Sequence, residues 1–142
     1  MTPEQLQQND PEEVASVHDP RLEPRARVLV VEDEGDLRAV LAEWLETKGY
    51  EVSEAGDGLE AVALLEAGLE PDVILLDLTM PRMNGWRFLD WLRAAPRHRD
   101  RRVLVASAYA RDLPLKEANA TLAKPFRPDV LARELARLAA DA

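Results

Sequence analysis

The chain has no cysteine, which excludes disulfides, thiolate metal centres and cysteine nucleophiles together. Its two histidines, His18 and His98, lie far apart, so neither a histidine-built metal site nor a serine–histidine triad has its parts. No apolar run approaches the ~20 residues of a membrane span, and the residues after Met1 lack the pattern of a signal peptide. Positive charge is in deficit, with 18 Lys and Arg against 27 Asp and Glu and a net charge of −9. A general nucleic-acid binder, which needs a basic face to meet phosphates, is therefore excluded. What is present is an ordinary globular balance, 46% hydrophobic and 32% charged over 142 residues. A soluble, cytoplasmic protein with one domain is the expectation.

Residues 1–24 stand apart. They hold Glu4, Asp10, Glu12, Glu13, Asp19 and Glu23 with Arg21 as the only base, four prolines, and no sustained apolar period. Such a composition buries too little to offset chain entropy, so a disordered acidic arm is expected over 1–24 and the folded domain over 25–142. From Arg27 onward, short unbroken apolar runs alternate with helical patterns. Val28–Val31, Val73–Leu76 and Val103–Ala106 read as strands buried on both faces. Tyr50–Glu54 alternates, as an edge strand with one wet face should, and Thr121–Ala123 is a weak fifth strand. Between them, Leu37, Val40, Leu41, Trp44 and Leu45 form a helical stripe, with Asp33 or Asp36 near its start and Gly49 at its end. Ala61, Val62, Leu65 and Leu69 form a second, Phe88, Leu89 and Leu92 a third, and Leu131, Leu135 and Leu138 a last helix starting near Pro128. Alternating strand and helix imply an α/β fold, a parallel sheet with helices on both faces. The fourth helical slot, between Ser107 and Thr121, is short and holds Pro114. A helix from about Leu113 to Asn119 would have only about two turns.

Open parallel sheets bind ligands beyond the carboxyl ends of their strands. Here those ends carry Glu32-Asp33-Glu34, Asp77, Ser107 and Lys124, so carboxylates, a hydroxyl and an ammonium group meet at one rim. The acids after the first strand would repel a phosphate where a cradling loop needs glycines, which disfavours dinucleotide and flavin sites and excludes a P-loop. Three carboxylates in close range repel one another unless a cation joins them, and their oxygens suit magnesium. With charge neutralised by the metal and Lys124, Asp77 could attack phosphorus, since phosphoryl transfer needs mainly positioning and charge neutralisation.

These residues resemble a response-regulator receiver domain of two-component signalling. The resemblance rests on Glu32-Asp33, on Asp77-Leu78-Thr79-Met80-Pro81-Arg82-Met83-Asn84-Gly85, on Ser107-Ala108 and on Lys124-Pro125-Phe126, and it covers about residues 26–140. It implies a flavodoxin-like five-stranded sheet of order 2-1-3-4-5, and a cis peptide between Lys124 and Pro125. It further implies that Asp77 accepts phosphate from a kinase phosphohistidine and that Asp33, Asp77 and the Thr79 carbonyl hold Mg2+, with Glu32 acting through water. Ser107 would contact the phosphoryl oxygen and Lys124 would pair with it. Such a protein is a phosphoacceptor that catalyses its own phosphorylation and slow dephosphorylation rather than a turnover enzyme. Haloacid-dehalogenase-type phosphatases also use a strand-end Asp, but they carry a second Asp two residues on, where this chain has Thr79.

Two departures from the resemblance concern signalling output. Ser107 and Lys124 are 17 positions apart, fewer than receivers typically have, so the fourth helix is expected to be short or remodelled. Three residues before Lys124, where many receivers carry Tyr or Phe, stands Thr121. Tyr109 is a candidate shield for the acyl phosphate. Trp44, Trp86 and Trp91 read as packing or surface residues. Arg97-His98-Arg99-Asp100-Arg101-Arg102 reads as a solvated basic turn, with a docking patch for an acidic partner as the alternative. With only Ala139–Ala142 after Leu138, a stand-alone receiver is expected. Its partners would be a sensor histidine kinase or phosphotransfer protein and a downstream protein, with a homodimer possible, and without nucleic acid or membrane insertion. The alternative is an unphosphorylated pseudo-receiver serving as an interaction or dimerisation module.

Overall fold

The computed structural model describes residues 25–78, 83–108 and 115–141. Five parallel strands form one sheet: β1 (Arg27–Val31), β2 (Glu51–Ala55), β3 (Val73–Asp77), β4 (Arg102–Ser107) and β5 (Ala120–Ala123). Their order is β2-β1-β3-β4-β5, the doubly wound arrangement expected. The described helices are α1 (Gly35–Thr47), α2 (Gly58–Glu66), α3 (Gly85–Ala94) and α4 (Pro128–Asp141).

The apolar runs are unbroken because each strand feeds two cores, alternate residues pointing to opposite faces. Leu29, Val31, Ile74, Leu76, Val103 and Val105 pack with Ala61 and Leu65 of α2 and Phe88, Leu89 and Leu92 of α3. Val28, Val30, Val73, Leu75, Leu104 and Leu122 pack on the other face with Leu45 of α1 and Leu131, Leu135 and Leu138 of α4. Burial of each such side chain stabilises the fold by about 1.5–3 kcal/mol.

Local signals fix the helix ends. Asp57 caps α2 by accepting from the Glu60 N–H at 2.9 Å, and Asn84 caps α3 by accepting from Arg87 N–H at 2.9 Å. In α1 the expected acidic cap is replaced by Glu34, which makes no side-chain cap bond, and Asp36 sits within the first turn. Asp33 does not cap because its carboxylate joins those of Glu32 and Asp77. Gly49, at φ +93°, ends the helix as expected. Val40 departs from the expected stripe and is 62% exposed, whereas Ala42 and Leu45 are buried. The buried face of α1 runs through Leu41, Ala42 and Leu45, and at 100° per residue Val40 falls on its flank.

Between β4 and β5 the described residues, 115–119, form turns rather than a helix. Tyr109 and the first two residues of the expected short helix, Leu113 and Pro114, lie outside the described residues, as do the acidic arm over 1–24 and Thr79. Arg93 anchors this crossover. Its five guanidinium N–H groups donate to the carbonyls of Arg99, Arg101 and Glu117 and to Asn119 Oδ1, all between 2.7 and 3.0 Å. Asn119 in turn bridges to Val103, accepting from its N–H at 2.8 Å and donating to its carbonyl at 2.9 Å. The loop read as a solvated turn is more ordered than expected, since His98 is buried and stacks on Trp91 at 5.9 Å.

Candidate functional site

Sheet register brings the expected residues together at the carboxyl ends of the strands. Glu32 directly follows β1, held by its N–H on the Ala55 carbonyl at 3.0 Å. Asp77 is the last residue of β3, in register with Ala106. Ser107 ends β4 and faces Ala123 of β5, and the Lys124 N–H donates to the Ser107 carbonyl at 2.7 Å. The peptide between Lys124 and Pro125 is cis.

From this seat Lys124 reaches back across the sheet. Its Nζ lies 3.0 Å from Glu32 Oε1 and 3.4 Å from Asp77 Oδ1. Glu32, Asp33 and Asp77 each offer a carboxylate oxygen, and the three lie within 4.8 Å of one another. Ser107 and Glu32 are buried, Asp77 and Lys124 are part-exposed, and Asp33 faces solvent. The site is thus closed on the Glu32 and Ser107 side and open at Asp33.

The local charges set protonation. Burial pushes the Glu32 carboxyl up, but the hydrogen bond from Lys124, the Glu34 N–H and the Lys124 charge outweigh it and hold Glu32 below the ordinary carboxylate range. Asp33 is raised, by burial first and then by its neighbour Glu32. Burial pulls the Lys124 ammonium down, yet the hydrogen bond to Glu32 and the Asp77 charge more than compensate and raise it. Among the described residues Lys124 pairs with Glu32 and Asp77, and the Asp33 carboxylate stands beside them. The remaining repulsion and the all-oxygen donor set fit a hard divalent ion, whose opposite ligands stand about 4 Å apart around magnesium.

Two features of the site were not foreseen from sequence. Arg38 Nη1 donates to the Glu32 carbonyl at 2.8 Å, pinning the acidic turn to α1. Gly85 donates its N–H to the Leu78 carbonyl at 2.8 Å, and a Cβ there would fall 2.5 Å from the Asp77 carbonyl oxygen. The start of α3 thus rests directly on the backbone that carries Asp77. Asn-Gly after a Met-Pro turn was visible in the chain, but its closeness to Asp77 depends on how β3 and α3 dock. Thr121 is part-buried on β5, in register with Val105.

This doubly wound sheet, with acids after β1 and β3 and a lysine after β5, defines a class: the chain belongs to the response regulator receiver domain family, whose model matches residues 28–136. Among its relatives, protein Rrf1 of Nitratidesulfovibrio vulgaris is 35% identical over 107 residues, covering 75% of this chain and 77% of Rrf1. The transcriptional regulatory protein PdtaR of Mycobacterium tuberculosis is 42% identical over 106 residues, covering 70% of this chain and 50% of PdtaR. The chain therefore spans only half of that relative. Among solved structures, the receiver domain of a signal transduction histidine kinase from Syntrophus aciditrophicus superimposes with a TM-score of 0.76 at 31% identity, covering 82% of this chain and 92% of that one. Response regulator TrrA of Thermotoga maritima, in complex with Mg2+ and BeF, gives 0.70 at 30% identity, covering 79% and 97%. No described helix is long and apolar enough to cross a membrane.

Proposed function

We propose that this receiver takes a phosphoryl group onto Asp77 from the phosphohistidine of a sensor histidine kinase or phosphotransfer protein, and passes the signal on by binding a downstream protein or relaying the phosphate. The observation that carries this reading is the placement of Lys124 Nζ 3.0 Å from Glu32 and 3.4 Å from Asp77 beside three converging carboxylates. In the step, an Asp77 carboxylate oxygen forms the new bond to phosphorus as the P–N bond to imidazole breaks. The bond's electron pair stays with the ring nitrogen. In this reading Lys124, now paired with Asp77, pairs with the arriving phosphoryl oxygen, and Ser107 contacts another of those oxygens. Glu32, Asp33, Asp77 and the Thr79 carbonyl are the groups that would hold Mg2+, Glu32 through water; when bound, the ion supplies positive charge to the phosphoryl oxygens. That TrrA is known with Mg2+ and BeF supports this assignment.

On this reading residues 25–142 are the receiver and 1–24 an acidic arm. The protein is a cytoplasmic regulator that catalyses its own phosphorylation and slow dephosphorylation. A second reading, an unphosphorylated interaction module, draws on Thr121 in place of an aromatic and on the turns at 115–119. Intact mass after incubation with a small phosphodonor and Mg2+ separates the two. A phosphoryl gain that disappears in Asp77→Asn supports phosphoacceptance. Folded protein that gains nothing, even with candidate kinases, rejects it and favours the interaction module.

A further inference from the structure

At the pole opposite the carboxylates, this acidic chain gathers positive charge. A cleft of about 590 Å3 is lined by Arg93, Arg99, Arg102 and Lys116, with Asp100 and Glu117 among them. It adjoins a smaller groove of about 250 Å3 beside Pro71 and Asp72, and Asp100 and Arg102 line both. Arg93 spends all five donors on the protein and contributes shape and charge. Arg99 and Lys116 are exposed and form no ion pair among the described residues. They are available to a carboxylate.

We propose that this cationic cleft seats the chain's own acidic N-terminal segment, residues 1–24. Charge is the first argument. The segment carries Glu4, Asp10, Glu12, Glu13, Asp19 and Glu23 against Arg21 alone, whereas the other pole presents Glu32, Asp33 and Asp77 and repels it. The second argument is where the segment joins the fold. Arg27, opening β1, exchanges hydrogen bonds with Asp72, its N–H to Asp72 Oδ2 at 2.8 Å and the Asp72 N–H to its carbonyl at 2.8 Å. Asp72 lines the smaller groove, and Arg101 Nη1 closes on the neighbouring Pro71 carbonyl at 3.2 Å. Only β3 separates β1 from β4, so two strand spacings, about 10 Å, divide Arg27 from Arg102. A 24-residue coil spans roughly 25–30 Å on average, which reaches the whole cleft and sets an effective concentration on the order of millimolar. At equal affinity a free acidic partner would have to exceed that concentration to compete, which favours this segment over one in trans. The contact is electrostatic and exposed, so salt screens it.

The lack of cysteine permits a unique spin label at Ser16→Cys in the full chain. Paramagnetic broadening of backbone amide signals should then be several-fold stronger at Arg99–Arg102 and Lys116–Asn119 than at Glu32–Glu34. It should collapse in ~1 M salt, where the Debye length is about 3 Å, and in the Arg99→Glu, Lys116→Glu double variant, whose exposed positions leave the fold intact. Broadening that is even over the surface, or that survives both salt and charge reversal, overturns the proposal. So does broadening seen only when label and observed nuclei sit on different molecules, which would make a second copy the occupant.

Discussion

Gly85→Ala tests whether the start of α3 rests on the backbone that carries Asp77. A Cβ at this position would lie 2.5 Å from the Asp77 carbonyl oxygen, 2.5 Å from Leu78 Cα and 3.0 Å from the Leu78 oxygen. Unstrained contacts of this kind sit near 3.5 Å, so about 1 Å must be opened. All three neighbours are backbone atoms, and no side chain can swing aside. Overpacking costs about 1–3 kcal/mol, and moving the helix also weakens the 2.8 Å bond from Gly85 N–H to Leu78, worth about 0.5–1.5 kcal/mol. The expected loss is about 2–4 kcal/mol, a fall in Tm of roughly 10 °C at this chain length. Urea unfolding should show a lower midpoint with an unchanged slope. Folded Gly85→Ala should also phosphorylate more slowly, because the displaced backbone carries Asp77. Gly68→Ala is the control: nothing lies within 4 Å of its built Cβ, and only its φ of +111° is strained, a cost of about 1 kcal/mol. If Gly85→Ala costs no more than Gly68→Ala, the close docking of α3 on Asp77–Leu78 is wrong.

Magnesium should raise the melting temperature in a saturable way through preferential binding to the native state, and Asp33→Asn should weaken that response while leaving the metal-free protein at least as stable, because it relieves repulsion from Glu32. Thermal denaturation across a magnesium titration checks both. His98 is held below its ordinary value of 6.5 by burial first and then by Arg101 and Arg97. Its neutral form is the one the fold accepts, so its contribution is complete above about pH 6.5 and is lost as pH falls from there through the depressed folded value. His98→Phe, which keeps the stack on Trp91, should flatten that part of the stability profile. An unchanged difference between the two proteins across that window would refute it. Arg93→Lys keeps the charge but cannot satisfy four acceptors in two separate segments, and should cost about 2–3 kcal/mol, with faster amide exchange at Asn119.

What could be read directly from the chain follows from how locally each signal is written. Val73–Leu76 announces a strand because burial on both faces demands an unbroken apolar run, and the crossover rule then orders such strands with little freedom. The rim residues were legible by the same route: once the strands are parallel, Glu32, Asp77, Ser107 and Lys124 share one end without any knowledge of contacts. What stayed hidden depends on docking between segments. Val40 was misplaced because a stripe four residues wide fits several rotations of α1, and only packing against β1 and β2 selects one. Asp33 was available as a helix cap and as a member of the acidic cluster, and the turn after β1 turns it toward Asp77. Arg93 had no visible signal at all, since its acceptors are mostly main-chain carbonyls, which every sequence possesses. Its role arises where a crossover without a described helix leaves carbonyls of residues 99, 101 and 117 facing one point, and a guanidinium is the side chain with enough donors in a fixed fork to meet them. The same side chain therefore holds the turn before β5 and builds one wall of the cationic cleft, so the feature that most separates this chain from its expected pattern also shapes the surface on which its acidic segment is proposed to rest.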